Sequence, residues 1–401
     1  MNSFERMTGA LKALERGEVI IVVDDYEREN EGDLIALADK AIPSTINFMA
    51  TYGRGLICQP ITAERAAELE LPLMTGRSND PHGTAFTVSV DHISSSTGIS
   101  AYERARTVNA LASADTAAQD FRRPGHIFPL IAKDGGVFER KGHTEAAVDL
   151  ARLSGHVSSA VICEIMNDDG SMARVPDLER FAEQHGLQMI SVEEIIRYRD
   201  AVGDVKVTLQ SESALPTEYG EFRIMAYTSE DPAAGELVVL ESTRRTNSPV
   251  VRIHSECATG EVFGSVRCEC GPQLQTALAR IGREGGALVY LKQEGRGIGL
   301  AEKIKAYALQ DAGADTVEAN LSLGHAADAR RFGAAAAVLK QRGYSSVRLL
   351  TNNPEKEQAV RNIGIRIENR ENLVVGVKPE NLRYLATKIE KFGHTLEGVH
   401  L

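Results

Sequence analysis

Residues 252–274 read "RIHSECATGEVFGSVRCECGPQL". The run leaves an apolar, strand-like segment, "PVVRIHSE" (249–256), and enters "PQLQTALARIGREGG" (272–286), whose apolar residues recur at helical spacing. Between them stand Cys257, Cys268 and Cys270, spaced C-x10-C-x-C. A closed structural zinc site takes four protein ligands, and no further cysteine or following histidine nearby completes this set. Spacing alone leaves two readings open. One is a structural site with a remote fourth ligand; the other is an open site where three thiolates hold Zn²⁺ and one position takes water. A thioredoxin-like redox pair does not fit, because one residue separates Cys268 from Cys270, not two.

Outward from this stretch, strands and helices alternate. "ALVYL" (287–291) and "SVRLLTNN" (346–353) read as strands, and "GLAEKIKAYALQDAG" (299–313) and "DARRFGAAAAVLKQRGY" (328–344) as helices. "PEKEQAVRNIG" (354–364) starts another helix, with Asn353 as cap and Pro354 at its first position. Such alternation predicts α/β architecture. The first half opens with "VIIVVDD" (19–25), a run apolar enough for a strand buried on both faces, after a short amphipathic helix on Phe4, Met7, Leu11 and Leu14. It closes with the strand "SAVICEIMNDDG" (159–170) and the helix "VPDLERFAEQHGL" (175–187). The polar, turn-rich "AVGDVKVTLQSESALPTEYGEF" (201–222) is the best linker candidate. Two domains are expected, 1–204 and 205–401, an α+β domain then an α/β domain, each a mixed sheet flanked by helices.

Composition narrows the function. With 43% hydrophobic and 25% charged residues the 401-residue chain has ample core for two soluble domains. A net charge of −11 argues against a nucleic-acid binder, while leaving room for a local cationic pocket. No apolar run reaches membrane-spanning length, no signal peptide opens the chain, and the cysteines form no disulfide framework. A cytoplasmic protein is expected.

A glycine-rich turn and a second strand-to-helix turn accompany the cysteines. "QEGRGIGL" (293–300) offers backbone N–H groups and Arg296 to a phosphate, and "TNNPEK" (351–356) adds Thr351 and Lys356. Each is weak alone, since many such loops bind nothing and most first-turn lysines are simply solvated. Together with "KIKAYALQDAGADTVEAN" (303–320) and "RLLTNNPEK" (348–356) they resemble GTP cyclohydrolase II over the second half of the chain. The resemblance implies hydrolytic opening of the guanine imidazole ring at C8, release of formate and cleavage of pyrophosphate. It makes Cys257, Cys268 and Cys270 zinc ligands, and Arg252, Ile253, His254, Ser255, Glu256, Gln273, Glu294, Gly295, Arg296, Thr316, Thr351 and Lys356 GTP contacts, with Mg²⁺ accompanying the nucleotide. Asp328 becomes the proton acceptor, Arg330 the nucleophile toward the α-phosphate, and Tyr307 the tyrosine that assists at the ring. A guanidinium stays protonated at neutral pH, so clamping phosphate charge is the simpler role for Arg330. Arg331 departs from the family pattern, where an acid is common.

In the first half, "DDYERENEGD" (24–33) is crowded with carboxylates. A solvated acidic loop is the bland reading. An EF-hand starting at Glu27 fails, because its twelfth position is Ala38 in an apolar strand. Carboxylates at a strand end still suit Mg²⁺. "RPGHIFPL" (123–130) holds His126 between prolines, "RKGHTEAAVDL" (140–150) opens a helix at a glycine turn, and Glu164 sits inside an apolar strand, where burial would be costly unless it is paired or ligated. Lone histidines are more often structural, but two of them with an acidic loop and a buried glutamate favour an enzyme site.

These strings, with "HGTAFTVSVD" (82–91), "TGIS" (97–100) and "NDDGSMAR" (167–174), resemble 3,4-dihydroxy-2-butanone 4-phosphate synthase. The resemblance implies ribulose 5-phosphate as substrate, with C4 lost as formate. It makes Glu29 and His143 ligands of Mg²⁺ or Mn²⁺, and places Arg28, Glu29, Asp33, Arg140, Lys141, Gly142, His143, Thr144 and Glu164 on the substrate, with His126 and Glu164 as the essential acid–base residues. Glu103 stands where the family usually has Asp. Joined in this order, the halves resemble the bifunctional riboflavin biosynthesis family, and the resemblance implies a homodimer. A synthase carrying an inactive GTP-binding scaffold is the rival reading.

Overall fold

The computed structural model describes residues 3–26, 28–77 and 79–395; Glu27, where the rejected EF-hand would begin, lies outside them. The chain divides into two compact units, Met1–Tyr198 and Arg199–Leu401, each built on one mixed sheet with helices packed against it. The α/β expectation holds for both.

The strands of the first unit are β1 (Ile20–Val23), β2 (Gly32–Leu37), β3 (Cys58–Ile61), β4 (Val90–His92), β5 (Phe121–Ile131), β6 (Ala160–Glu164) and β7 (Met189–Ser191), in the order β4-β5-β3-β6-β2-β1-β7. The apolar runs around residues 20 and 160 are central strands, as their continuous hydrophobicity requires. Pairing of antiparallel β2 and β6 sets Asp33 directly opposite Glu164. Glu164 is the last residue of β6 and only half-buried, not enclosed within the strand. The strand delivers its carboxylate to an open edge, where water and partners lower the cost of the charge.

In the second unit, β8 (Val207–Thr217), β9 (Gly220–Ser229), β10 (Glu236–Ser242), β11 (Val250–Ser255), β12 (Gly286–Leu291), β13 (Ser346–Leu350) and β14 (Arg366–Glu371) lie in the order β14-β13-β11-β12-β10-β9-β8. The polar stretch read as a linker is largely the β8–β9 hairpin. Strand β8 is an edge strand that buries almost none of its side chains, so its composition mimics a loop. The helix expected from residue 328 begins at Gly333, because the Asp200 carboxylate accepts hydrogen bonds from the N–H groups of Phe332 (3.2 Å) and Gly333 (2.8 Å) and so caps it there. Asn353 caps the helix Pro354–Asn362 as expected.

Strands β12, β11, β13 and β14 run parallel, and the chain passes from β11 to β12 on one side and later to β13 on the other. Ligands bind beyond the carboxyl ends of strands at such a switch point. Residue 286 has to be glycine for β11 and β12 to meet. Gly286 has φ +131°, and a Cβ there would lie 1.9 Å from the Val250 carbonyl oxygen, its register partner. Gly286→Ala is expected to destabilise the second unit by about 3 kcal/mol or more. Denaturant unfolding monitored in this unit reads the loss, and unchanged stability would show that the strands can part at no cost.

Candidate active sites

The carboxyl ends of β11, β12 and β13 surround one pocket. Arg252 and His254 point into it from β11, while Ile253 faces the core and offers its carbonyl to Lys356 Nζ at 3.0 Å. Arg252 donates to Gln273 Oε1 (2.8 Å), to the Leu350 carbonyl (3.2 Å) and to His254 Nδ1 (3.1 Å). His254 therefore accepts at Nδ1 and carries its proton on Nε2, toward Glu261 at 2.9 Å. Burial, then Arg252 and Lys356, hold this imidazole neutral.

After the strand, a short helical turn folds back so that the sulfurs of Cys257, Cys268 and Cys270 all lie within 4.8 Å of one another. Gly260 makes room for them: a Cβ there would sit 2.8 Å from Cys268 Sγ. Cys257 and Cys268 sulfurs are 3.6 Å apart. Tetrahedral ligands at a Zn–S distance of about 2.3 Å stand about 3.7–3.8 Å apart, so the set fits zinc with no fourth cysteine among the described residues. Contacts with Cys268 and Cys270 come first in holding Cys257 far below an ordinary thiol, reinforced by Lys303, whose Nζ is 3.1 Å from its sulfur. Tyr307, one turn beyond Lys303, reaches Thr259 Oγ1 at 3.1 Å and so borders the cysteine loop.

Three consecutive left-handed residues, Gly295 (φ 63°), Arg296 (φ 62°) and Gly297 (φ 90°), form the turn after β12. A non-glycine residue held there stores strain. Here it aims Arg296 inward, buried, with both terminal nitrogens lacking a hydrogen-bond partner. Glu294 is spoken for by Lys303 (2.7 Å) and the Ala258 N–H (2.6 Å), which bolts the glycine loop to the cysteine loop. Ser255, Glu256, Gly295, Thr316, Thr351 and Arg330 also line the pocket. Asp328 acts on it through Arg330, whose Nε it holds at 2.8 Å. Lys303 went unread in the sequence, though it stands four residues before Tyr307 on the same helical face. Tyr384, Lys388 and His394 also reach the pocket, from a C-terminal segment with no local motif.

The first unit gathers Glu29, Asp33, His143 and Glu164. His143 Nδ1 lies 3.6 Å from both Glu29 Oε2 and Asp33 Oδ1, and Glu164 accepts from the Leu56 N–H at 2.8 Å. His143 is placed by the Gly142 turn at the first position of the helix His143–Leu153, and Thr144 is buried behind it. His143 Nε2 and Asp33 Oδ1 are buried without hydrogen-bond partners, which marks a place for a ligand. Donor atoms of Asp24, Glu29 and His143 lie within 4.8 Å of one another, an oxygen-rich set that fits Mg²⁺ or Mn²⁺. Asp24 is already engaged by Arg28 (2.7 Å) and the N–H groups of Glu29 (3.2 Å) and Glu31 (2.9 Å), so it shapes the acidic loop and leaves Glu29 and His143 available. The contact with His143 brings Glu29 down to about 2; burial alone would lower His143, but Asp33 and Glu29 outweigh it and raise it to about 9. Arg140 is tied to Glu145 (2.6 Å) and Thr84 (2.9 Å), and Lys141 is exposed.

His126 joins none of these contacts. It lies on β5, where Asp91 on β4 takes its backbone N–H (2.9 Å) and its Nδ1 (2.8 Å). This fixes the ring and presents Nε2 outward. Both departures from the family patterns find partners: Arg331 pairs with buried Asp231 (2.9 Å), and Glu103 accepts from Gly98 N–H (3.0 Å) and Ser96 Oγ (2.8 Å).

A thiolate site and a hard-oxygen site, each beside cationic side chains on its own α/β sheet, define a bifunctional enzyme. Residues 8–198 match the family model for 3,4-dihydroxy-2-butanone 4-phosphate synthase, and residues 208–372 that for GTP cyclohydrolase II. The riboflavin biosynthesis proteins RibBA of Bacillus mycoides (strain KBAB4) and Bacillus cytotoxicus are each 52% identical over 395 residues, 98% of this chain and 99% of theirs. Among solved structures, RibBX, a two-domain 3,4-dihydroxy-2-butanone 4-phosphate synthase from A. baumannii, is similar at a TM-score of 0.58 and 31% identity, covering 92% of this chain and all of that one. The chain belongs to the bifunctional riboflavin biosynthesis family, and joins a 3,4-dihydroxy-2-butanone 4-phosphate synthase to a GTP cyclohydrolase II.

Asp91→Asn keeps the shape beside His126 but removes the carboxylate that orients it. It is expected to lower kcat for ribulose 5-phosphate conversion by about 100-fold or more at nearly unchanged KM. Steady-state kinetics decide the point, and an unchanged kcat would free His126 from dependence on Asp91.

Proposed function

We propose that the two activities belong to separate sites, 1–204 and 205–401, with the residue roles that follow. The observation that carries this reading is the three-sulfur cluster, at zinc spacing, on the rim of a cation-lined pocket. Zinc held by Cys257, Cys268 and Cys270 would supply Lewis acidity and an activated water for opening the guanine ring. Arg252, Arg296, Arg330 and Lys356 neutralise the triphosphate and its accompanying Mg²⁺ tempers the remaining charge. Burial works against the Arg330 charge, but Asp328 outweighs it and raises the guanidinium pKa above its ordinary value. Arg330 is thus a clamp at the α-phosphate, not a nucleophile, with Asp328 holding it in place. Tyr307, braced by Thr259, places a hydroxyl for proton transfer at the ring.

In the first site Glu29 and His143 would hold Mg²⁺ or Mn²⁺, whose charge would polarise the carbonyl and hydroxyl groups of ribulose 5-phosphate. Glu164, fixed by the Leu56 N–H, and His126, fixed by Asp91 and supplied to the site across the subunit interface of a homodimer, move protons at carbon and oxygen during enolisation, dehydration and the skeletal shift that ends in formate loss. Asp33 faces Glu164 across the strands, and burial, with the nearby Glu164 and Glu29 charges, raises its pKa to about 7. Arg28, Arg140 and Thr144 stand near the same cluster for the phosphate, with Lys141 at its exposed margin. A homodimer is proposed with this reading, supported by the exposed Ile93, Ile99 and Tyr102 on the first unit. A cytoplasmic setting is proposed because the five cysteines form no disulfide.

A double dissociation tests this reading. Cys268→Ser should abolish formate release from GTP and spare ribulose 5-phosphate conversion, while Glu29→Gln should do the reverse, by about 100-fold or more each. Loss of both activities in either variant would contradict independent sites.

A further inference from the structure

The C-terminal helix Leu382–Phe392 lies beyond the stretch matched by the cyclohydrolase family model, which ends at residue 372. It nevertheless roofs the GTP pocket. Tyr384 and Lys388 line the cavity, and the Arg296 guanidinium lies 4.3 Å from the Phe392 ring centroid and 5.7 Å from that of Tyr384. Lys388 is 8% exposed, and one of its three N–H donors is used by Glu269, between Cys268 and Cys270. Its Nζ also lies 4.6 Å from the Tyr384 ring centroid.

Carboxylates are few around this lysine, and zinc on the three cysteines would cancel most of the thiolate charge. Among the described residues, Arg252, Arg296, Arg330, Lys356 and Lys388 are hydrogen-bonded by only two carboxylates, Asp328 on Arg330 and Glu269 on Lys388. Burial, then Arg330, Arg252 and Lys388, hold the Lys356 amine well below an ordinary lysine, and an anion joining these groups would relieve that repulsion. Were Lys388 there only to neutralise Glu269, the helix would have had no reason to bring a positive charge to the cavity wall beside Arg330 and Lys356. A polyanion satisfies both facts. Resting on the cyclohydrolase reading above, we propose that Lys388 is a further GTP-contacting residue, binding the triphosphate from the C-terminal helix while Glu269 anchors its stem to the cysteine loop.

The test uses zinc-loaded, full-length protein and two separate probes, inorganic pyrophosphate and guanosine, with affinities measured by titration calorimetry. Lys388→Met is expected to weaken pyrophosphate binding by about tenfold or more and leave guanosine binding unchanged, the scale of one lost charge-assisted contact. Lys388→Arg should restore most of the affinity. Lys391→Met, exposed at the end of the same helix and paired with Asp315, should have no effect. Equal weakening of both probes would make the helix a structural roof and overturn the proposal, as would unchanged pyrophosphate affinity. Unsubstituted protein that binds pyrophosphate but releases no formate from GTP would instead sink the cyclohydrolase reading, and Lys388 would still be judged by the pyrophosphate result.

Discussion

The parallel alignment of β12, β11 and β13 is the constraint on which the second site depends. Because their carboxyl ends share one edge, three separate loops converge: the cysteine loop after β11, the glycine loop after β12 and the Asn353-capped turn after β13. None of these makes a site alone. Glu294 links the first two by accepting from Ala258 and Lys303 at once, and Lys356 reaches back from the third to the β11 backbone. The strand pairing in turn rests on the bare backbone of Gly286 against Val250, so a single Cβ stands between the fold and its chemistry.

The first site solves a different problem, that of keeping acids close together near the edge of a core. Asp33 and Glu164 face one another across β2 and β6, and like charges at such a pair destabilise a sheet. Three features offset this. Asp33 resists ionisation through burial, Glu164 takes a backbone N–H at the strand end, and His143 supplies positive charge between Glu29 and Asp33. A divalent cation would relieve the same crowding, and the partnerless atoms on Asp33 and His143 show where the protein leaves its polar groups unsatisfied. Stability has been given up there for binding.

Sequence reasoning reached what was contiguous. The cysteines, "QEGRGIGL" and "TNNPEK" were legible because each is a loop whose residues act where they are encoded, and the helices around them carry clear apolar periods. Long-range partners left no trace. Asp91 and His126 are 35 residues apart and meet only through antiparallel β4 and β5. Asp200 caps a helix 133 residues later, and Lys388 reaches Glu269 across 119. The β8–β9 hairpin reads as a linker in sequence because an exposed edge strand has no buried face to betray it. Glu164 was placed inside its strand because composition does not mark where pairing stops.

Ring opening is proposed to depend on the open position among Cys257, Cys268 and Cys270. That dependence is tested most directly by incubating the protein with GTP and Mg²⁺, before and after zinc removal, and following formate, pyrophosphate and the diaminopyrimidine product together. All three are expected to appear with zinc, stop when it is removed and return when it is restored. Undiminished release after zinc removal, or no release from folded, zinc-loaded protein, would contradict it.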